Sequence, residues 1–489
     1  MPHLFRRTHP TILSGQQISV FGLGRSGVAV TKLLISLGAN ILGTDNRSAE
    51  MLRPLIDNLN DFAVSKGVTV DFILGGHNDD CINKADLIIV SPGVAVNKIP
   101  TLRRAIEKEI PILSELEVAS SVCLAPIIAI TGTKGKTTTA ILTAEILKKG
   151  NFKRVFLAGN IGQPLSSFAL GLTAEDVVVT EVSSFQLEMT SCFRPAISAI
   201  LNLSPDHLDR HGSFALYQQA KNKIYANQTS DDWIILNADD PYTESLVSSK
   251  KINARTVLFS LTDQGNHQIR LYQQDGIIYL KDHRSTKFVA EYASTNLQGQ
   301  HNLANALASV SIGKICGVSI QCMRQSLQVF DTSAHLPLQH AFQQVSSINQ
   351  IRFIDDSKAT NVAATKAALE SVPSIQKHTI LIMGGYDKGN DYSPLVQLIK
   401  LRVKVLILLG ENTKIIRNAL SQHVVTVDEP TMDLAVQRAY ERARPGDIIL
   451  LSPANASFDM FSDYKARGQA FQTAINNLKK KLMKTSSIR

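Results

Sequence analysis

The stretch 126–139, PIIAITGTKGKTTT, constrains the fold of this 489-residue chain more tightly than any other. Its apolar run Ile127, Ile128, Ala129 and Ile130 has the composition of a buried parallel strand, and it stops abruptly at Thr131 and Gly132. Residues 140–147, AILTAEIL, then have the pattern of a helix packed on a sheet. Strand, glycine turn, Lys-Thr and helix together make a phosphate cradle. Glycines let backbone N–H groups converge on an anion, and the helix N-terminus adds its dipole. Gly132, Thr133, Lys134, Gly135, Lys136, Thr137 and Thr138 are therefore the expected ATP-binding residues. Lys136 would reach the terminal phosphates, and the Thr137 hydroxyl can hold Mg²⁺. The spacing departs from strict GxxxxGK[ST], because Ile130 stands in the first glycine's place. A turn merely rich in lysine and threonine is the competing reading, and the flanking strand and helix argue against it.

At about 150 residues per domain the length suits three domains. The net charge of +9 is modest for this length, and its cations are scattered except for Lys479, Lys480, Lys481 and Lys484, which read as a solvated helix end. No nucleic-acid partner is expected, whereas anionic substrates suit the charge. Five separated cysteines (Cys81, Cys123, Cys192, Cys316, Cys322) contain no CxxC, which points to a reducing compartment and no zinc site. The basic N-terminus lacks an apolar core, and no apolar run approaches the ~20 residues of a membrane span. A cytoplasmic protein without membrane insertion, acting as a monomer, is expected.

Residues 1–115 form the first expected domain. A strand at 17–21 meets Gly22-Leu23-Gly24-Arg25-Ser26-Gly27, then a helical run and a second strand ending at Asp45, Asn46 and Arg47. This is the G-x-G-x-x-G of a Rossmann unit, with an acid near the offset used for a ribose. A later strand, Leu87 to Val90, leads to Gly93, where a ligand could approach the strand's carboxyl end. Taken alone, the pattern reads as an NAD site, or as glycines that serve only helix–strand packing.

The second domain, 116–328, continues with a strand at 176–182 that ends in Glu181, an expected Mg²⁺ ligand if it is not a bare surface acid. A strand at 196–203 is tipped by DHLDRH, where His207 is either a metal or phosphate neighbour or an ordinary turn histidine. The helix expected at 214–227 carries Lys221 and Lys223, by default solvated. A turn-broken, β-rich stretch covers 256–291, and a helix spans 303–315. The third domain, 329–489, shows four strands with polar tips, at 351–354, 379–383, 403–409 and 447–451. The fold expected is α/β, with three domains each built on a mostly parallel, Rossmann-like sheet and the central one a doubly wound P-loop fold.

Together, TGTKGKTTT, GNIG at 159–162, EVSSFQLE at 181–188, DHLDRH, YQQAKNKIY, GQHN and DSKATN make the chain resemble the Mur ligase family. It is most similar to members that add D-glutamate, DSKATN being the most discriminating piece. The match runs through all three domains in order. The resemblance implies that the first domain holds the UDP end of a nucleotide sugar through Gly24, Arg25, Ser26, Gly27, Asp45, Asn46, Arg47 and Gly93, and not NAD.

It further implies ATP-dependent addition of D-glutamate to UDP-N-acetylmuramoyl-L-alanine in peptidoglycan precursor synthesis. Carboxylates do not react with amines at neutral pH, so phosphorylation would supply the leaving group. Two Mg²⁺ ions are implied. Thr137 and Glu181 would hold one, and His207 with a carbamylated Lys221 the other. Lys136, Lys221, His207 and Glu181 would be the catalytic set. Asn160 would contact the acyl substrate, Asn302 the adenine and Asp356 the ribose. Lys358, Thr360, Lys388, Ser457 and Phe458 would bind D-glutamate, and Tyr464 falls where the family often has another aromatic residue.

The chain departs from the family in two places. No arginine occurs at 333–340, SAHLPLQH, where the family usually carries one that reaches ATP, and Asn455 stands where cysteine is common. Competing readings are a sister ligase adding another amino acid, a glutamate ligase acting on folate, and a nicotinamide-dependent dehydrogenase.

Overall fold

Three sheets follow one another along the chain, and their central strands are near-continuous apolar runs, as burial on both faces requires. The computed structural model describes residues 13–249, 251–263, 269–282, 285–295, 297, 299–331, 339–372, 378–386 and 389–486. The first sheet contains β1 (Gln17–Phe21), β2 (Asn40–Asp45), β3 (Val70–Leu74), β4 (Leu87–Val90) and β5 (Ile112–Ser114). Their order is β3-β2-β1-β4-β5, parallel throughout. The helix Arg25–Ser36 starts directly after the glycine turn. Gly22 has φ +86°, and a Cβ on Gly27 would collide with the Gly22 carbonyl, so both positions require glycine.

The second sheet has nine strands: β6 (Ile127–Thr131), β7 (Val155–Gly159), β8 (Val177–Glu181), β9 (Ile197–Ile200), β10 (Trp233–Asn237), β11 (Arg255–Ser260), β12 (Arg270–Gln274), β13 (Ile277–Lys281) and β14 (Thr286–Glu291). Their order is β14-β13-β12-β11-β10-β9-β6-β8-β7. The chain builds β7 and β8 on one side of β6, then crosses to β9 on the other. The glycine turn after β6 therefore opens at the topological switch point, where such sheets bind ligands. The β-rich stretch ends this sheet as the antiparallel set β12, β13 and β14. The helix expected at 214–227 is shorter, Phe214–Asn222, and continues as turns.

The third sheet contains β15 (Gln343–Ile348), β16 (Ile351–Asp355), β17 (Thr379–Met383), β18 (Val403–Leu408), β19 (Val425–Asp428) and β20 (Ile448–Leu451), in the order β15-β16-β20-β17-β18-β19. Six strands replace the four expected. The two additions are the edges: β15 (QQVSSI) is polar and pairs antiparallel, and β19 is short with exposed ends. Neither carries a buried apolar run. On the central strands alternate residues serve opposite cores, Ile354, Leu381, Leu406 and Leu450 on one face and Phe353, Ile380, Ile407 and Ile449 on the other.

The chain divides into two compact units, one holding the first two sheets with 304–330, the other holding the third sheet with 296–303. Among the described residues no helix is long and apolar enough to cross a membrane, and the five cysteines form no disulfide.

Glu117, in the helix Glu115–Val122 that follows β5, ties the first two sheets together. Its carboxylate accepts from the backbone N–H groups of Ser191 (3.1 Å), Cys192 (2.6 Å) and Phe193 (3.1 Å). Burial pushes the carboxyl up, and those three N–H groups pull it back. Glu117→Ala leaves them without an acceptor, and an expected loss of about 2–3 kcal/mol is checked as a lowered thermal midpoint, with Glu117→Gln intermediate.

Candidate active site

The phosphate cradle is held open by its own backbone. Gly132 has φ +153° and Gly135 φ +81°, and a Cβ on Gly135 would run into the Asn305 side-chain oxygen. Gly135, the N-cap of the helix Lys136–Leu147, makes no side-chain cap hydrogen bond, and the helix's positive dipole end faces the turn and suits an anion. Asn202, at the tip of β9, braces the loop from below. Its Oδ1 accepts from Lys134 N (2.8 Å), and its Nδ2 donates to Lys134 O (3.1 Å). The Thr133 hydroxyl bonds the Tyr217 hydroxyl at 3.0 Å.

Two lysines converge on this loop. Lys136 Nζ donates to the carbonyls of Gly132 (2.9 Å) and Thr133 (3.0 Å). Lys221 Nζ donates to the same Gly132 carbonyl (2.9 Å) and to Thr131 Oγ1 (3.1 Å). The solvated lysine that a helix position suggests by default is thus replaced by one only 2% exposed. Burial, and then the neighbouring Lys136, hold the Lys221 amine well below the usual lysine range. Burial also lowers Lys136, against the pull of Glu181 and Asp206.

Glu181 ends β8 beside them. Its Oε2 accepts from Thr137 Oγ1 (2.8 Å) and its Oε1 from Asn160 Nδ2 (2.7 Å). A hydroxyl and a carboxylate already in contact are hard oxygen donors suited to Mg²⁺. His207 is half-exposed with a left-handed φ of +54°. Its ring lies 4.8 Å from that of Phe185, and Asp206 is 3.9 Å from its Nε2. Among the described residues no three of His, Cys, Asp and Glu cluster as a ready metal site.

In the first sheet the turn residues Gly24 and Arg25 are exposed, as are Asn46 and Gly93, while Ser26 is half-buried. Asp45 is buried and already engaged. It accepts from Leu23 N (2.7 Å) and makes a two-pronged pair with Arg47 (2.9 and 2.8 Å). The Arg47 guanidinium holds its carboxyl down at about 2. Arg210 of DHLDRH reaches the loop around Gly93, donating to the carbonyls of Pro92 (2.7 Å) and Val94 (3.0 Å) and to Glu188 (3.0 Å), with its guanidinium 4.0 Å over Phe185.

The second unit carries a separate set. Asn302 lies in the first turn of the helix Gln300–Ile315. Asp356, expected at a ribose, is buried and accepts from Phe342 N (3.0 Å) and Ser452 Oγ (2.8 Å). Lys358 and Thr360 follow at the tip of β16, both half-buried. Past β20, Ser457 is buried and Phe458 is 68% exposed. Lys388 and residues 332–338, where the arginine is missing, lie outside the described residues.

Comparison with known proteins bears on this geometry directly. The Mur ligase MurD-like N-terminal domain matches residues 16–114, the Mur ligase middle domain 130–313, and the Mur ligase glutamate ligase domain 342–455. The UDP-N-acetylmuramoylalanine–D-glutamate ligase of Thermoanaerobacter sp. is 37% identical over 472 residues, 96% of this chain and 100% of that one. The protein of the same name from Streptococcus equi subsp. zooepidemicus is 38% identical over 471 residues, 96% of this chain and 98% of its own. The chain belongs to the Mur ligase family. Its fold is also shared with the MurF ligase of Thermotoga maritima in complex with ADP, at 15% identity and a TM-score of 0.57 over 98% of this chain and 100% of that one.

In this Mur ligase, three residues at the site escape a reading of local pattern. Asn202 braces the phosphate loop, Asn305 packs against Gly135 and accepts from Thr139 Oγ1 (3.2 Å), and Arg210 carries no role in the motif reading. Asn305 lies in HNLAN, three residues beyond Asn302, one turn along the same helix. That spacing is the one local signal that could have found it.

Gly135→Ala in this Mur ligase would force a left-handed alanine against Asn305. A stability loss of roughly 1–3 kcal/mol and loss of nucleotide binding are expected, read by calorimetry with ADP. Arg47→Met should let the Asp45 pKa rise toward the ordinary carboxylate value of about 3.9, seen by NMR titration. The sign follows from the depressed folded-state value. The stability Asp45 contributes is present above its unfolded pKa and is lost as pH falls toward about 2.

Proposed function

We propose that this Mur ligase joins the amine of D-glutamate to the alanyl carboxylate of UDP-N-acetylmuramoyl-L-alanine, using ATP and releasing ADP and phosphate. The observation that carries the reading is the convergence of Lys136, Thr137, Glu181 and buried Lys221 at the glycine turn, in a chain matching D-glutamate ligases over 96% of its length. Residues 1–115 take the UDP end, 116–328 the ATP and 329–489 the amino acid. The enzyme works in the cytoplasm as a monomer.

The alanyl carboxylate attacks the γ-phosphorus, and the bond to the β,γ-bridging oxygen breaks. Lys136 leaves its two loop carbonyls to hold the β- and γ-phosphates, and the N-terminus of the following helix takes the remaining charge. Thr137 and Glu181 would hold one Mg²⁺, whose charge offsets the repulsion between carboxylate and triphosphate. Asn160 fixes the Glu181 carboxylate and faces the acyl substrate. The D-glutamate amine then attacks the acyl carbonyl, loses a proton and expels phosphate. Lys358, Thr360, Lys388, Ser457 and Phe458 position that amine, two lysines suiting two carboxylates. Asn302 and Asp356 serve the adenine and ribose.

Burial favours the neutral form of the Lys221 amine, the form that adds carbon dioxide. The resulting carbamate, with His207, would hold a second Mg²⁺.

With ATP, UDP-N-acetylmuramoyl-L-alanine and a panel of amino acids, phosphate release should depend on D-glutamate; release with meso-diaminopimelate or L-lysine would assign a sister activity. Lys136→Ala should lower turnover by about 10³-fold or more. Lys221→Ala should be inactive and partly restored by short carboxylic acids such as formate or acetate. Failure of every such acid would remove the carbamate from the reading.

A further inference from the structure

The five residues assigned to D-glutamate follow three strands that are neighbours in the third sheet. Lys358 and Thr360 follow β16, Lys388 follows β17, and Ser457 and Phe458 follow β20. Loops at adjacent strand tips do not hold one another in register by themselves, and their backbones must be fixed from beneath. The residue found there is Arg467, in the helix Tyr464–Ser486, with only 2% of its surface exposed.

Its guanidinium spans the loops. Nη2 donates to the Ser357 carbonyl (2.9 Å) and Nε to the Ser357 hydroxyl (3.0 Å), which fixes the residue immediately before Lys358. Nη1 donates to the Asn455 carbonyl (3.0 Å), two residues before Ser457. The third loop closes over the same nitrogen, since a Cβ on Gly385 would stand 3.2 Å from Nη1. Gly384 and Tyr386 on that loop donate to the carbonyls of Pro453 (3.1 Å) and Ala456 (2.9 Å). The Ser357 hydroxyl in turn donates to Tyr464 O (2.8 Å), returning to the start of Arg467's own helix.

Each of these hydrogen bonds ends on a neutral oxygen. Burial lowers the guanidinium to about 10, against the pull of Asp459, Asp355 and Asp356, so it stays charged at neutral pH. A rigid planar cation with forked donors can hold two backbones at once, which a lysine ammonium does less well.

We propose that Arg467 is a positioning residue for the amino-acid substrate: it fixes the loops after β16, β17 and β20 in one arrangement. This rests on the assignment of those loops to D-glutamate. It extends that assignment to a residue that touches no reacting atom.

The test compares Arg467→Lys and Arg467→Met with the parent in the full chain, measuring kcat, the KM of each of the three substrates and the thermal midpoint. The KM for D-glutamate should rise roughly tenfold or more, while the KM values for ATP and the UDP-sugar stay within about twofold. Arg467→Ala should regain part of its D-glutamate affinity when guanidinium ion is added. A D-glutamate KM within about twofold of the parent, or three KM values rising together, overturns the proposal. Should these variants fail to fold, Ser357→Ala removes only the hydroxyl contact. Its D-glutamate KM should still rise about threefold, and an unchanged value overturns the proposal equally. Parent turnover is measured first. If it depends on another amino acid, the D-glutamate reading falls, and the same comparison made with that amino acid decides the role of Arg467 separately.

Discussion

One backbone carbonyl, that of Gly132, organises the chemistry of the first unit. It sits where β6 ends at the switch point and accepts hydrogen bonds from both Lys136 and Lys221 at 2.9 Å. Two ammonium groups on one oxygen repel each other, so the more deeply buried of the two is driven toward its neutral form. Depth is the larger cause of that separation, and the neighbouring charges add to it. It leaves Lys136, partly accessible and held by the pull of Glu181 and Asp206, as the readier cation, while the Lys221 amine is shifted further toward its neutral form. Two segments far apart in the chain thus bring two amines of different state to one turn.

The same solution recurs in the third sheet with different parts. There too the working residues stand on loops at the carboxyl ends of parallel strands, and the sheet beneath them is rigid because both faces are packed. In the P-loop the brace is Asn202, acting on a single loop that Asn305 packs against. In the third sheet several loops must agree, and the brace is the forked guanidinium of Arg467.

What could be read from residues alone divides along physical lines. Strands such as β1, β6, β8 and β17 are legible because burial on both faces demands unbroken apolar runs. The edges β15 and β19 are silent because one side of each meets solvent. The glycine turns at 22–27 and 132–135 announce themselves, since only glycine accepts their backbone angles and close contacts. Lys221 is the opposite case. On a helix it reads as solvated, and only the packing of Tyr217 and the P-loop around it makes it 2% exposed. Family resemblance drew attention to it where spacing could not. Arg210, Asn202 and Arg467 act through carbonyls and amides of distant segments, and such partners leave no periodic trace.

The folded-back posture of Lys136 bears on the rhythm of the catalytic cycle. Its ammonium group donates to two carbonyls of its own loop. An incoming triphosphate therefore replaces existing bonds, and the net attraction is the difference between two comparable sets. When ADP is formed and the γ-phosphate has moved to the acyl group, the carbonyls of Gly132 and Thr133 are waiting to take the lysine back. The two loop carbonyls and the phosphates thus compete for one ammonium group.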